Sequence, residues 1–159
     1  MGLFGGGKIK GEERDEVLKY LDIMDEIKKI VNAEAKSYDD VMSKSAQDIS
    51  GNASEYDIIK YFKIIAEAAE RLKLTTDATL RRFNDIEYIP AKTKDLHSSY
   101  LDCFEAHEDW AQIAFRNATE ESHGSMPQFP EKQQLLYDRY LEATSKVEAM
   151  ENKLMKKLK

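Results

Sequence analysis

Apolar residues recur along this chain at alternating gaps of three and four, the spacing of helices that bury one face. The densest stripe lies in Thr93–Ala118, where Leu96, Tyr100, Cys103, His107, Trp110 and Ala114 follow one another at that spacing. The segment also holds the only Trp and the only Cys of the chain. A stripe that carries Tyr and Trp must bury against other helices, and three further stripes answer it. Val17, Tyr20, Met24, Ile27, Val31, Tyr38 and Val41 form the first, widened by Leu21, Ile30, Ala35 and Met42. Ile58, Phe62, Ile65, Ala69, Leu72, Thr76, Thr79 and Phe83 form the second. Leu136, Tyr140, Ala143, Val147, Met150 and Leu154 form the last.

Punctuation separates the stripes. Acidic residues Glu12, Glu13, Asp15 and Glu16 suit the positive end of a helix that opens at Glu12. Gly51-Asn52 is a stop, and Ser54 is an N-cap followed by Glu55 and Asp57 in the first turn. Pro90 forces an extended residue before it, Ser122–Phe129 reads as a loop, and Pro130 suits a first helical position. The fold class that follows is all-α: an antiparallel up-down four-helix bundle with helices at about 12–50, 54–83, 91–121 and 130–158. The first helix is longer than the rest and its stripe thins after Met42, so it must overhang, kink or break near Ser43–Ser50. Residues 1–11, with five Gly, are expected to form a flexible leader, and residues 12–159 a single bundle domain.

Composition removes several functions. The formal charge of −6 argues against nucleic acid as the main partner, since duplex binding relies on Lys and Arg. No apolar run approaches the roughly 20 residues that span a bilayer, and MGLFGGGKIK lacks the apolar core of a secretory signal. A lone Cys103 fits a reducing compartment. The expected location is therefore the cytoplasm.

Candidate chemistry is sparse. Cys103 and His107, four apart, are neighbours on one helical face and both ligate zinc. No second Cys completes a site, so the simpler reading is a buried thiol beside a core imidazole satisfied by a Tyr or Glu. Glu120 and His123 make one Glu-x-x-His, but a di-metal bundle needs two. His107-Glu108-Asp109-Trp110-Ala111 starts like the zinc-protease signature and ends in Ala where the second His is required. Phosphate-binding and nucleophile-elbow motifs are missing as well. No catalytic residue and no cofactor is assigned.

An up-down topology gathers both termini and the Asn84–Pro90 connector at one end. Lys8, Lys10, Arg81, Arg82, Lys153, Lys156, Lys157 and Lys159 would meet there, with Leu3 and Phe4 on the leader. Apolar side chains beside a basic patch are what a two-signal membrane contact requires. Met1-Gly2-Leu3-Phe4-Gly5 resembles the opening of some subunits of the ESCRT-III membrane-remodelling family, and that resemblance implies an N-terminus that inserts into bilayers. It covers five residues of 159. That family also begins with a strongly basic helical hairpin, whereas residues 12–49 here carry eleven acidic and six basic residues. No family follows from it.

The resulting expectation is a non-enzymatic bundle that acts by protein–protein interaction or self-association, as an adaptor, a regulator or an assembly subunit. Its basis is apolar surface off the main stripes: Ile23 and Ile30, Ile59 and Ile64, Ile113 and Phe115, Leu135 and Tyr137. A peripheral membrane protein using Leu3, Phe4, Lys8, Lys10, Lys156 and Lys157 is the alternative. A metal-binding bundle centred on Cys103 and His107 is the second.

Overall fold

A computed structural model describes residues 7–49, 51, 53–128 and 130–159. Four helices, α1 (Gly11–Ile49), α2 (Glu55–Asn84), α3 (Lys94–Ser122) and α4 (Pro130–Leu158), make an all-α bundle with no strand among these residues. Consecutive helices pack on one another in turn, α1 on α2, α2 on α3 and α3 on α4.

Local chemistry explains the boundaries. Ser54 caps α2 in a reciprocal box: its hydroxyl accepts from the Asp57 N–H at 3.2 Å, and the Asp57 carboxylate accepts from the Ser54 N–H at 3.3 Å. The β-branched stretch around Thr76 does not interrupt α2: Leu72, Thr76, Thr79 and Phe83 are buried along one face, and the Thr76 hydroxyl is satisfied by donating to the Lys73 carbonyl at 2.8 Å. Pro90 leads into a 3-10 turn, Ala91–Thr93, so α3 starts a turn later than the expected position 91. Thr93 is fully buried and donates to the Pro90 carbonyl at 2.8 Å.

The first helix is continuous from Gly11 to Ile49, with no break from Ser43 onward. Its 39 residues span about 58 Å, against about 45 Å for the 30 residues of α2. The extra length lies at its N-terminus. Arg82, near the end of α2, pairs with Glu26, so the turns before Glu26 run past α2. They are covered instead by the α2–α3 connector, where Tyr88 donates to Glu16 at 3.0 Å, and by the end of α4. There the Ile9 N–H donates to the Lys157 carbonyl at 2.9 Å, and Arg14 Nε donates to the Leu158 carbonyl at 3.1 Å.

Those contacts correct the expected leader. Ile9 is 3% exposed and belongs to the core. Gly11 then turns the chain into α1 at φ +63°, a conformation that favours glycine. The chain from Ile9 onward is part of the bundle; Leu3 and Phe4 lie outside the described residues.

The core has two regions. Near the termini, Val17, Tyr20, Met24, Ile27, Phe83, Leu96, Tyr100, Phe104, Leu154 and Leu158 pack with Ile9. At the other end Tyr38 and Trp110 meet Ile65, Leu72 and a set of alanines from α2 and α3. Every residue of the α3 stripe is buried. The α4 stripe is not: Val147 and Leu154 are buried, while Leu136, Tyr140, Ala143 and Met150 are only half-buried. Ile9→Ala should destabilise the fold by about 2 kcal/mol, the low end for a buried aliphatic because a terminal segment can relax. Urea denaturation measures it, with Lys8→Ala, an exposed neighbour, staying within about 0.5 kcal/mol of wild type.

Candidate functional site

The half-burial of α4 has a geometric cause. Backbone contact between α1 and α4 is sparse, so the bundle is open along that seam and the aromatic stripe of α3 forms its floor. A cleft of about 430 Å³ lies there, lined by Lys28 and Val31 of α1, Tyr100, Cys103, Phe104 and His107 of α3, and Tyr140, Thr144 and Val147 of α4. Across its mouth Lys28 Nζ reaches Glu151 at 2.6 Å and Asp25 at 3.2 Å. The Lys28 ammonium also stands 5.5 Å from the Tyr100 ring centroid. Burial would lower the Lys28 pKa, but hydrogen bonds and charge from Glu151 and Asp25 outweigh it and hold the group above its ordinary value.

Cys103 and His107 come together in this cleft as the spacing requires. Among the described residues no Tyr or Glu hydrogen bond holds His107. Its ring stacks on Tyr140 at 4.2 Å and on Trp110 at 5.8 Å. Burial depresses its pKa to about 4, so at neutral pH the imidazole is uncharged. The Cys103 thiol lies 3.5 Å from the Thr144 hydroxyl. Burial raises its pKa, against smaller opposing effects of Thr144 and Lys28. That is the electrostatic setting of an inert thiol, not an activated one.

Among the described residues no group of three or more His, Cys, Asp or Glu stands in metal-binding geometry. His97 lies elsewhere, stacked on Phe83 at 4.2 Å with its Nδ1 2.9 Å from the Tyr20 hydroxyl. Glu120 serves the loop after α3: it pairs with Arg116 at 3.4 Å and accepts from the Gln128 N–H at 2.8 Å. The neighbouring His123 caps the helix end.

The chain ends do converge. The Ile9–Lys157 hydrogen bond brings Lys8 and Lys10 beside Lys156 and Lys157, of which all but the half-buried Lys157 are exposed. Glu12, Glu13 and Asp15 are exposed within the turn that follows and offset part of that charge.

Two features escaped the sequence reading. Asp77 of α2 and Glu108 of α3 line a shared surface groove with Lys73, Arg81 and Arg116. Burial first, and then the Asp77 and Asp109 carboxylates, raise the Glu108 pKa. On the outer α1/α2 face, Ile27, Ile30, Leu74, Ala78 and Thr79 form a shallow apolar groove of about 280 Å³. Ile30 is 53% exposed and Leu74 59%. Ile30, which widens the first stripe in the sequence and also stands among its off-stripe apolar residues, turns outward here, because Ile27 and Val31 occupy the inward positions. Comparison with protein-family models, with curated proteins and with solved structures finds no match for this chain.

His107 makes stability pH-dependent. Unfolded, the imidazole takes a proton as pH falls below its ordinary 6.5; folded, it resists until about 4. Between those values the unfolded chain binds more protons, so stability is complete above 6.5 and falls with acidification. The loss attributable to His107 should reach about 3 kcal/mol by pH 4. Denaturation at pH 7 and pH 4.5 should show a smaller acid loss in His107→Phe, a ring of similar shape that does not titrate. Glu108 and Glu121, whose pKa values are raised, push the opposite way in both chains.

Proposed function

We propose that this protein is a non-enzymatic helical bundle that acts by association, as an adaptor, regulator or assembly subunit, and that its first partner is a second copy of itself. The observation that supports this is the α1/α2 groove with its exposed Ile30 and Leu74. Charge frames the groove at both ends: Glu26 faces Arg82 at 3.2 Å, and Glu34 faces Arg71 at 3.6 Å. In both pairs the acid is on α1 and the base on α2. A two-fold axis parallel to the helices would lay α1 of one copy on α2 of the other. Each Glu would then meet an Arg while the apolar centres pair, the self-complementarity that a two-fold interface demands. The opposite arrangement, α1 on α1, would set Glu against Glu.

Association should therefore appear as a concentration-dependent dimer by sedimentation velocity. Ile30→Glu, at an exposed position that leaves the core untouched, should weaken it at least tenfold with an unchanged circular dichroism spectrum. A monomer at every accessible concentration, or a dimer indifferent to Ile30→Glu, sinks the reading.

The convergence of Lys8, Lys10, Lys156 and Lys157 supports a second reading, a peripheral membrane contact that also uses Leu3 and Phe4. It ranks behind the first because acidic residues share that end. The informative truncation begins at Gly7, since removal of Ile9 would damage the core. On this reading the full chain floats with anionic liposomes at low salt and is released near physiological salt, and the shortened chain does not float. Flotation of both chains, or of neither, rejects it.

A further inference from the structure

Where α2 and α3 meet, each helix contributes one carboxyl group to the same groove. Asp77 and Glu108 line it together, with Leu80, Ile113 and Phe115 supplying apolar surface. The two carboxyl groups stand within hydrogen-bonding reach of each other. Gln112 donates to Glu108 Oε1 at 3.1 Å. Asp77 Oδ1 is buried from solvent and, among the described residues, accepts from no donor. Buried acceptors are rarely left in that state. Ionised carboxylates can only accept, and two of them this close repel. One proton turns the same contact into a hydrogen bond.

No base takes the place of that proton. Lys73 and Arg81 of α2 line the groove, yet among the described residues neither forms an ion pair with Asp77 or Glu108. The Lys73 ammonium stands 5.5 Å from the Phe115 ring centroid. Arg116 of α3 reaches Glu120 at 3.4 Å and Gln128 at 2.7 Å. Asp109, beside Glu108 on α3, adds negative charge that Arg139 of α4 offsets from 3.1 Å. The groove takes no lining residue from α1. We propose that Asp77 and Glu108 share one proton across the α2/α3 interface, a clasp that closes in acid and opens as pH rises. Burial first, and then the Asp77 and Asp109 carboxylates, hold the Glu108 pKa above its ordinary 4.5. Unfolding removes that environment, so between 4.5 and the raised value the folded chain binds more protons. The contribution of the clasp is complete below 4.5 and is lost as pH rises through the raised value. Like charges then oppose each other across the central helix pair.

The side-chain carboxyl carbon of Glu108, followed by NMR against pH, reads the clasp directly. In the wild-type chain it should titrate about one pH unit or more above its position in Asp77→Asn, whose amide donates to Glu108 at every pH. Stability carries the same sign. In urea denaturation, the unfolding constant of wild type relative to Asp77→Asn should rise about fivefold from about pH 4.5 to about pH 8. His107 titrates in both chains and cancels from that ratio. Equal Glu108 titration in wild type and Asp77→Asn overturns the proposal, because burial and Asp109 then account for the elevation without a shared proton. So does a wild-type Glu108 that titrates at its ordinary 4.5, a result that stands even if Asp77→Asn does not fold.

Discussion

The packing of α2 against α3 through alanine side chains is the constraint on which the rest of the bundle depends. Ala66, Ala68 and Ala69 of α2 are buried in one cluster with Ala111, Ala114 and Ala118 of α3. Small side chains let two helices approach closely, since the distance between axes follows the residues at the contact. Of the helix pairs, α2 and α3 make the most extensive backbone contact. The outer helices α1 and α4 then lean on this central pair, and large aromatic residues fill the space between. Tyr38 stands edge-on to Trp110 at 5.5 Å, and Tyr137 tilts against it at 5.3 Å. The bundle is narrow through its middle pair and wide at the opposite seam.

Relative magnitudes show what holds that seam. Lys28 and Glu151 form its visible bridge, but both are partly exposed, and such ion pairs contribute about 0–1 kcal/mol. Burial of one large aliphatic side chain contributes about 1.5–3 kcal/mol. Val147, Leu154 and Leu158, with Ile9 at the end, therefore carry the attachment of α4 to α1. Their placement explains a gradient: the seam is closed by apolar contact near the chain termini and opens toward Tyr140.

Much of this architecture was legible in the sequence because it rests on local rules. Ser54 as a cap, Gly51 as a stop and Pro130 as a first residue depend only on neighbouring backbone chemistry, and the helix ends follow them within about two residues. The α3 stripe was legible in full because that helix is flanked on both sides. The α4 stripe was legible in direction and not in depth. Periodicity tells which face turns inward, but not how near the facing helix stands, so Leu136, Tyr140 and Met150 pack against the core and yet stay half-buried. Ile9 was missed for another reason: a single aliphatic between lysines has no period, and its burial is decided by where α4 happens to end. Cys103 and His107 could be recognised as neighbours, whereas the cleft beside them depends on α1 and α4 diverging.

The position of Cys103 makes the molecule its own timekeeper. The sole thiol is buried on the floor of the open seam, with its ionisation suppressed by that burial. Buried there, the sulfur offers a small reagent almost no thiolate, and it would ionise more readily only in an excursion that let water reach it. The alkylation rate of the chain would therefore count such excursions. Comparison with global unfolding separates excursions of one edge from loss of the whole bundle.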